Sequence, residues 1–231
     1  QEKHASLLNN ILKPLIQKLK YTCKNSFKFV KKAQKMKLKQ GTKLFSYDAE
    51  ALFPSVPIPE CLHVIKQRLQ EDPDLNKRTM LSPDDIADLI NLCVKSTDFV
   101  FDQRHHTTEN LGPIGLSLMV TMAQMWMDHT INTAVALAKE KNVTTPENIE
   151  VYMDDIFCTI TSRQYIRSGL RGTNNNNGNP VLDFKECLNS VHPRVKFMHE
   201  EEEDNKIAFL DVLIERKPDG TLSTQLYRKP T

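Results

Sequence analysis

Ile149-Glu150-Val151-Tyr152-Met153-Asp154-Asp155-Ile156-Phe157-Cys158-Thr159-Ile160 sets two short apolar runs on either side of a pair of acids. β-Branched and aromatic residues dominate both runs, so the stretch predicts a hairpin with carboxylates at its tip. By pattern alone an Asp-Asp after an apolar run is more often a plain turn than a catalytic element. A third acid changes its weight. Lys43-Leu44-Phe45-Ser46-Tyr47-Asp48 alternates like a half-buried strand and ends in Asp48, 106 positions before Asp154, so only the fold can bring the acids together. Two unit charges about 4 Å apart repel by about 1 kcal/mol in water and about 4 kcal/mol at the permittivity near a protein surface. Three clustered carboxylates therefore call for a cation or a proton. Magnesium suits them, because it binds through one or two carboxylates and completes its shell with water and phosphate oxygens; two such ions can clamp both oxygens of a phosphoryl displacement.

Around these acids the apolar spacing predicts mixed helices and strands. Leu7, Leu8, Ile11, Leu12, Leu15, Ile16 and Leu19 make one face of a helix that Pro14 bends, and residues 24–39 read as a Lys-laden helix anchored by Phe27, Val30 and Leu38. Phe53-Pro54-Ser55-Val56-Pro57 breaks regular structure, and a helix follows with Pro59 in its first turn and Leu62, Ile65 and Leu69 on one stripe. Ser82-Pro83-Asp84-Asp85 is the clearest cap, opening a helix that buries Ile86, Leu89, Ile90 and Cys93. A strand at 97–101, a polar turn at 102–110 and a long apolar helix from about 116 to 137 come next. Ser168 to Pro180 is a low-complexity surface loop. Lys206 to Glu215 and Leu222 to Tyr227 read as strands joined by a turn at Pro218-Asp219-Gly220.

Charge is arranged in blocks that the net +2 conceals: residues 1–43 carry +11, residues 44–193 carry −8, and residues 194–231 carry −1. A Lys-rich segment beside an acidic body suits a chain that tracks a polyanion with one surface and gathers divalent cations with another, although a solvated basic helix face reads equally well from charge alone. With 231 residues, 39% of them hydrophobic and 26% charged, the chain can bury a proper core, and collagenous or wholly disordered readings drop out. Neither G-x-G-x-x-G nor G-x-x-x-x-G-K-[ST] occurs, which leaves dinucleotide and Walker-type phosphate sites without starting material. Five widely spaced cysteines, none in a C-x-x-C pair, favour reduced core thiols. The first twenty residues lack a signal-peptide core, and the longest uncharged run, Asn110 to Met127, is too short and polar for a confident span. The expectation is an intracellular protein of nucleus or cytoplasm, neither secreted nor in a membrane.

Tyr152-Met153-Asp154-Asp155 is similar to the tyrosine-x-aspartate-aspartate box of reverse transcriptases, and Ser46 to Pro57 resembles their first catalytic motif. Leu-Phe-x-x-Val-Pro at 52–57, Phe209-Leu210-Asp211-Val212 and the closing Leu226-Tyr227-Arg228-Lys229-Pro230-Thr231 resemble the Penelope-like retroelement branch. The resemblance runs in order from about residue 5 to the end. It implies an α+β fold with a palm-type antiparallel sheet packed on helices and an incomplete fingers subdomain. In that frame residues 1–43 are a Lys-rich helical segment from the fingers or the fingers-palm connection, 44–165 the palm with its catalytic motifs, 166–180 the low-complexity loop, and 181–231 the end of the palm towards a thumb. The implied activity is RNA-directed DNA polymerisation with two Mg2+ (or Mn2+) ions, an RNA template, a DNA primer and deoxynucleoside triphosphates.

Residue by residue, the resemblance implies that Asp48, Asp154 and Asp155 are the catalytic metal ligands. Phe53 would gate against a ribose 2′-hydroxyl by exclusion, and Gly115 and Tyr152 would contact nucleotide. Lys196 falls near the segment where polymerases keep a lysine that can protonate the leaving pyrophosphate. The family's second box usually reads close to Met-Gly-Ser-Pro-Leu-Ser-Pro; here Ile114-Gly115-Leu116-Ser117-Leu118-Met119-Val120 keeps the Gly and Leu but loses both Ser-Pro pairs. The family's upstream fingers motifs are also expected to precede this chain. A second expectation therefore stands beside the polymerase: a catalytically inactive retroelement remnant that persists as a nucleic-acid-binding scaffold.

Overall fold

The computed structural model describes residues 2–95, 98–101, 104–107, 117–162 and 179–228, of which 98–101 and 104–107 are described by their backbone alone. In chain order the elements are α1 (Glu2–Gln17), α2 (Ser26–Ala33), β1 (Thr42–Ala49), α3 (Leu52–Ser55), α4 (Ile58–Gln70), a 3-10 turn (Leu75–Lys77), α5 (Pro83–Lys95), β2 (Asp98–Phe101), β3 (Arg104–Thr107), α6 (Ser117–Glu140), β4 (Glu147–Tyr152), β5 (Asp155–Thr161), α7 (Pro180–Val191), β6 (Phe197–Glu201), β7 (Lys206–Phe209), β8 (Val212–Arg216) and β9 (Leu222–Leu226). The fold is α+β with antiparallel sheets, as expected. Two compact units each draw on two stretches of chain: Gln1–Lys20 with Ala51–His129, and Tyr21–Glu50 with Thr130–Thr231.

The first unit is helical with the β2–β3 hairpin. Ser82 opens α5 as a capping box: its hydroxyl accepts from Asp85 N at 3.1 Å while the Asp85 carboxylate accepts from Ser82 N at 2.9 Å. The α4 stripe is Ile58, Cys61 and Ile65 with Val64 and Leu69, and Leu62 sits at its margin. Asp72 is a buried acid held by Arg78, whose Nε also donates to the Ile11 carbonyl of α1 at 3.2 Å.

The second unit is built on a four-stranded sheet ordered β4-β5-β1-β6, with β1 inside it. One face carries Phe45, Tyr47, Ala49, Ile156, Cys158, Ile160 and Phe197, all buried. α7 covers part of it: the Tyr47 ring lies 5.8 Å from that of Phe184, and the Tyr47 hydroxyl donates to the Val181 carbonyl at 3.0 Å. On the opposite face Leu44 and Phe157 join Phe29 and Ala33 of α2 and Ile207, Phe209, Val212, Ile214 and Leu222 of the three-stranded β7-β8-β9 sheet in one core. Phe29, Phe157 and Phe209 meet with centroids 4.8–5.7 Å apart, each pair adding about 1 kcal/mol beyond its buried area. Buried Glu150 of β4 pairs with Lys32, tying α2 to the same face. This cover stops short of the strand ends that carry Asp48 and Asp155.

Several local expectations are corrected. Residues 52–55 form the one-turn helix α3 instead of a break, entered through Ala51 at φ +45°. Arg104–Thr107, read as part of a polar turn, pairs with β2. The helix expected over 24–39 ends at Ala33, because Leu38 N donates to the Gly220 carbonyl at 2.8 Å and so leaves the helical ladder. The single strand expected over 206–215 is a hairpin, with Leu210 at φ +55° in its turn. Leu89, expected in the core, is 36% exposed. All five cysteines are free and buried. Gly115 and the stretch from Ser168 to Gly178 lie outside the described residues, while Ser117 to Val120 of the second box begin α6. Among the described residues no helix is long and apolar enough to cross a membrane.

Candidate active site

The 149–160 stretch folds as the hairpin expected of it: β4 and β5 pair with Tyr152 opposite Asp155, which leaves Met153 and Asp154 as a two-residue turn. Met153 takes φ +54°, the left-handed value that such a tight turn demands at a central residue and that glycine usually supplies. Next to it, β1 and β5 run antiparallel with Asp48 directly opposite Asp155. Ala49 N donates to the Asp154 carbonyl at 3.1 Å. That bond makes 49 and 154 the hydrogen-bonded position, so Asp48 and Asp155 form the neighbouring close pair, with Cα atoms about 4.5 Å apart and side chains on one face. Asp48 is exposed, and Asp154 and Asp155 are half-buried.

The pair opens into a cleft of about 600 Å³, also lined by Ser46, Met198, Glu200 and the Phe209-Leu210 turn, with Tyr227 at its wall. Glu200 enters because β6 pairs it with Ser46 while Met198 faces Asp48. Sequence reasoning missed Glu200, since within the acidic run 200–203 only the strand register decides which side chain shares the Asp48 face. A second cleft of about 420 Å³, lined by Asn25, Ser26, Tyr152, Leu210, Asp211 and Tyr227, shares Leu210 and Tyr227 with the first.

Of the other expected site residues, Tyr152 is 38% exposed, directly opposite Asp155 on β4, and lines the second cleft. Lys196 is exposed just ahead of β6; its carbonyl accepts from Glu50 N at 2.8 Å and its ammonium donates to the Asn189 carbonyl at 3.4 Å. Phe53 is half-buried on α3 in the first unit. Among the described residues no group of three or more His, Cys, Asp and Glu side chains could by itself hold a metal ion. Asp48 and Asp155 do offer hard oxygen donors on one open face, the donor set of a cation that takes one or two carboxylates and fills its remaining positions with water and phosphate oxygens.

No family model matches the sequence, and no curated protein does. Solved structures do. Apo telomerase from Candida Tropicalis is similar over 97% of this chain and 39% of its own, with a TM-score of 0.65 at 11% identity. Telomerase from Candida albicans, solved with a fragment of telomeric RNA, is similar over 95% of this chain and 39% of its own, with a TM-score of 0.63 at 8% identity. The BmCPV RNA-dependent RNA polymerase at elongation state is similar over all of this chain and 21% of its own, with a TM-score of 0.60 at 12% identity. The fold is therefore polymerase-like. This chain spans about two fifths of the telomerase chains and about a fifth of the viral polymerase.

Proposed function

We propose that the chain is the palm-bearing part of an RNA-directed DNA polymerase of the Penelope-like retroelement type, extending a primer 3′-hydroxyl by attack on the α-phosphate of a deoxynucleoside triphosphate. The observation that carries this reading is the close cross-strand pairing of Asp48 with Asp155, next to a turn bearing Asp154, at the uncovered end of a sheet in a polymerase-like fold. Two carboxylates directly opposite repel and cost stability in a sheet, a cost that a bound cation offsets. In this reading Asp48, Asp154 and Asp155 hold two magnesium or manganese ions. When bound, the ions supply positive charge at the phosphate oxygens and ease deprotonation of the attacking hydroxyl.

The chain's own residues do the rest. Tyr152 supports the nucleotide next to the acids, Phe53 excludes the 2′-hydroxyl, and Gly115 allows close backbone approach of the base pair. Lys196 Nζ gives a proton to the departing pyrophosphate, leaving the Asn189 carbonyl to do so. The RNA associated with a telomerase neighbour is in keeping with an RNA template here.

Primer extension tests the reading directly. On an RNA template with a DNA primer, incorporation is expected to require magnesium and to fall at least about a hundredfold in Asp154→Asn. Extension that persists without divalent metal, or survives Asp154→Asn, overturns the assignment.

A further inference from the structure

The outward face of α2 has no role in the acid site, yet its composition is unusual. Residues 21–39 contain seven lysines and no acid. Phe29 and Ala33 bury the inner side of the helix, whereas Phe27 stands 64% exposed on the outer side. Lys31, one turn on, places its Nζ 4.5 Å from the Phe27 ring centroid. Lys28 shares that outward stripe, and Lys24 and Lys35 flank it, all exposed. Lys32, also exposed, is different, being paired with buried Glu150. A single exposed ring is ordinary on a protein surface; what sets Phe27 apart is the cation over it and the lysines on either side. A cation over its edge or face keeps the ring ordered rather than hidden.

We infer that this face, centred on Phe27 with Lys24, Lys28, Lys31 and Lys35, is a stacking platform for an unpaired nucleic-acid strand. The lysines neutralise successive phosphates, and the ring takes a base. A duplex presents its bases only edge-on, so an exposed ring suits a single strand. The location agrees: Asn25 and Ser26, at the start of α2, line the second cleft with Tyr152, and that cleft shares the walls Leu210 and Tyr227 with the acid-lined one. A strand leaving the acid site by Tyr152 thus meets the head of α2. RNA and DNA share the chemistry of phosphate and base, and the inference rests on the polymerase reading only for where that strand originates.

Fluorescence anisotropy of the full chain with labelled single-stranded RNA and DNA oligonucleotides of about 12 residues tests it. Phe27→Ala is expected to weaken binding about tenfold with the salt dependence unchanged, and to leave binding of base-free inorganic polyphosphate unaltered. Phe27→Trp is expected to restore affinity and to show quenched emission on binding, over a background from Trp126, which is only 2% exposed. Replacing Lys24, Lys28 and Lys31 by Gln should instead flatten the salt slope, by about 0.7 for each phosphate no longer neutralised. Unchanged oligonucleotide binding in Phe27→Ala, equal loss on polyphosphate, or Phe27-dependent binding of phosphatidylserine vesicles in place of oligonucleotides overturns the inference. Stronger binding of RNA or of DNA identifies which strand the face takes. Primer extension by Phe27→Ala separates the two readings: Phe27-dependent binding without extension in the parent chain leaves the platform standing and removes the polymerase, and extension with Phe27-independent binding does the reverse.

Discussion

Asp48 and Asp155 are neighbours that repel, and that repulsion is measurable apart from any chemistry. In metal-free buffer Asp48→Asn is expected to raise stability by roughly 0.5 kcal/mol, the usual size of a relieved like-charge cross-strand pair. Urea midpoints with chelator check it, and millimolar magnesium should stabilise the parent chain more than the variant. Asp72 shows the opposite arrangement. The Arg78 guanidinium bonded to it, helped by the Asp74 N–H and Lys18, holds its carboxyl below the usual carboxylate range against the burial that would raise it. A folded value below the unfolded one near 4 means that the stabilisation is fully present above about pH 4 and is lost as pH falls through the depressed value. Asp72→Asn should therefore cost stability at neutral pH, with a difference from the parent chain that shrinks on acidification. Urea midpoints followed from neutral to acid pH would show it, and a constant difference would contradict the pairing.

Elements whose ends are set by neighbouring residues were legible, and those set by distant contacts were not. The Ser82 cap and the Asp154-Asp155 hairpin tip could be read because capping and tight turns are local. The β7–β8 turn could not, since Phe209-Leu210-Asp211-Val212 carries no glycine or proline and Leu210 is forced to a positive φ by strand pairing on both sides. α7 was also missed, although Asn179 caps it by accepting from Val181 N at 3.0 Å and Pro180 occupies its first turn. That pair was absorbed into the asparagine-rich stretch before it. At the site, the three acids stood out in the chain, but only register shows that Asp155, rather than Asp154, faces Asp48. The turn between β8 and β9 supplies a sharp test of element closure. Gly220 sits at φ +83°, where an added Cβ would lie 2.2 Å from the Leu38 carbonyl oxygen. Gly220→Ala is expected to cost more than about 1 kcal/mol and to loosen the 36–40 segment, seen as faster amide exchange at Leu38.

At the scale of the molecule, the chain passes between its two compact units three times, at residues 20–21, 50–51 and 129–130. Neither unit is one continuous segment. β1 lies between β5 and β6 but belongs to the earlier stretch of chain, so residues 130–231 alone lack an interior strand of their own sheet. That fragment is expected to stay unfolded by circular dichroism and amide dispersion. A permuted chain joining residues 130–231 to 21–50 should regain cooperative unfolding, and failure to do so would show that the second unit needs the first. The five buried cysteines have a practical counterpart at this scale. Burial pushes Cys61 up to about 12 and raises Cys23, Cys158 and Cys187 as well. Maleimide attacks thiolate, so a single cysteine introduced at Met80, which is 99% exposed, would take a dye or spin label well ahead of the buried native thiols. The chain is thereby ready for site-directed spectroscopy without a cysteine-free background.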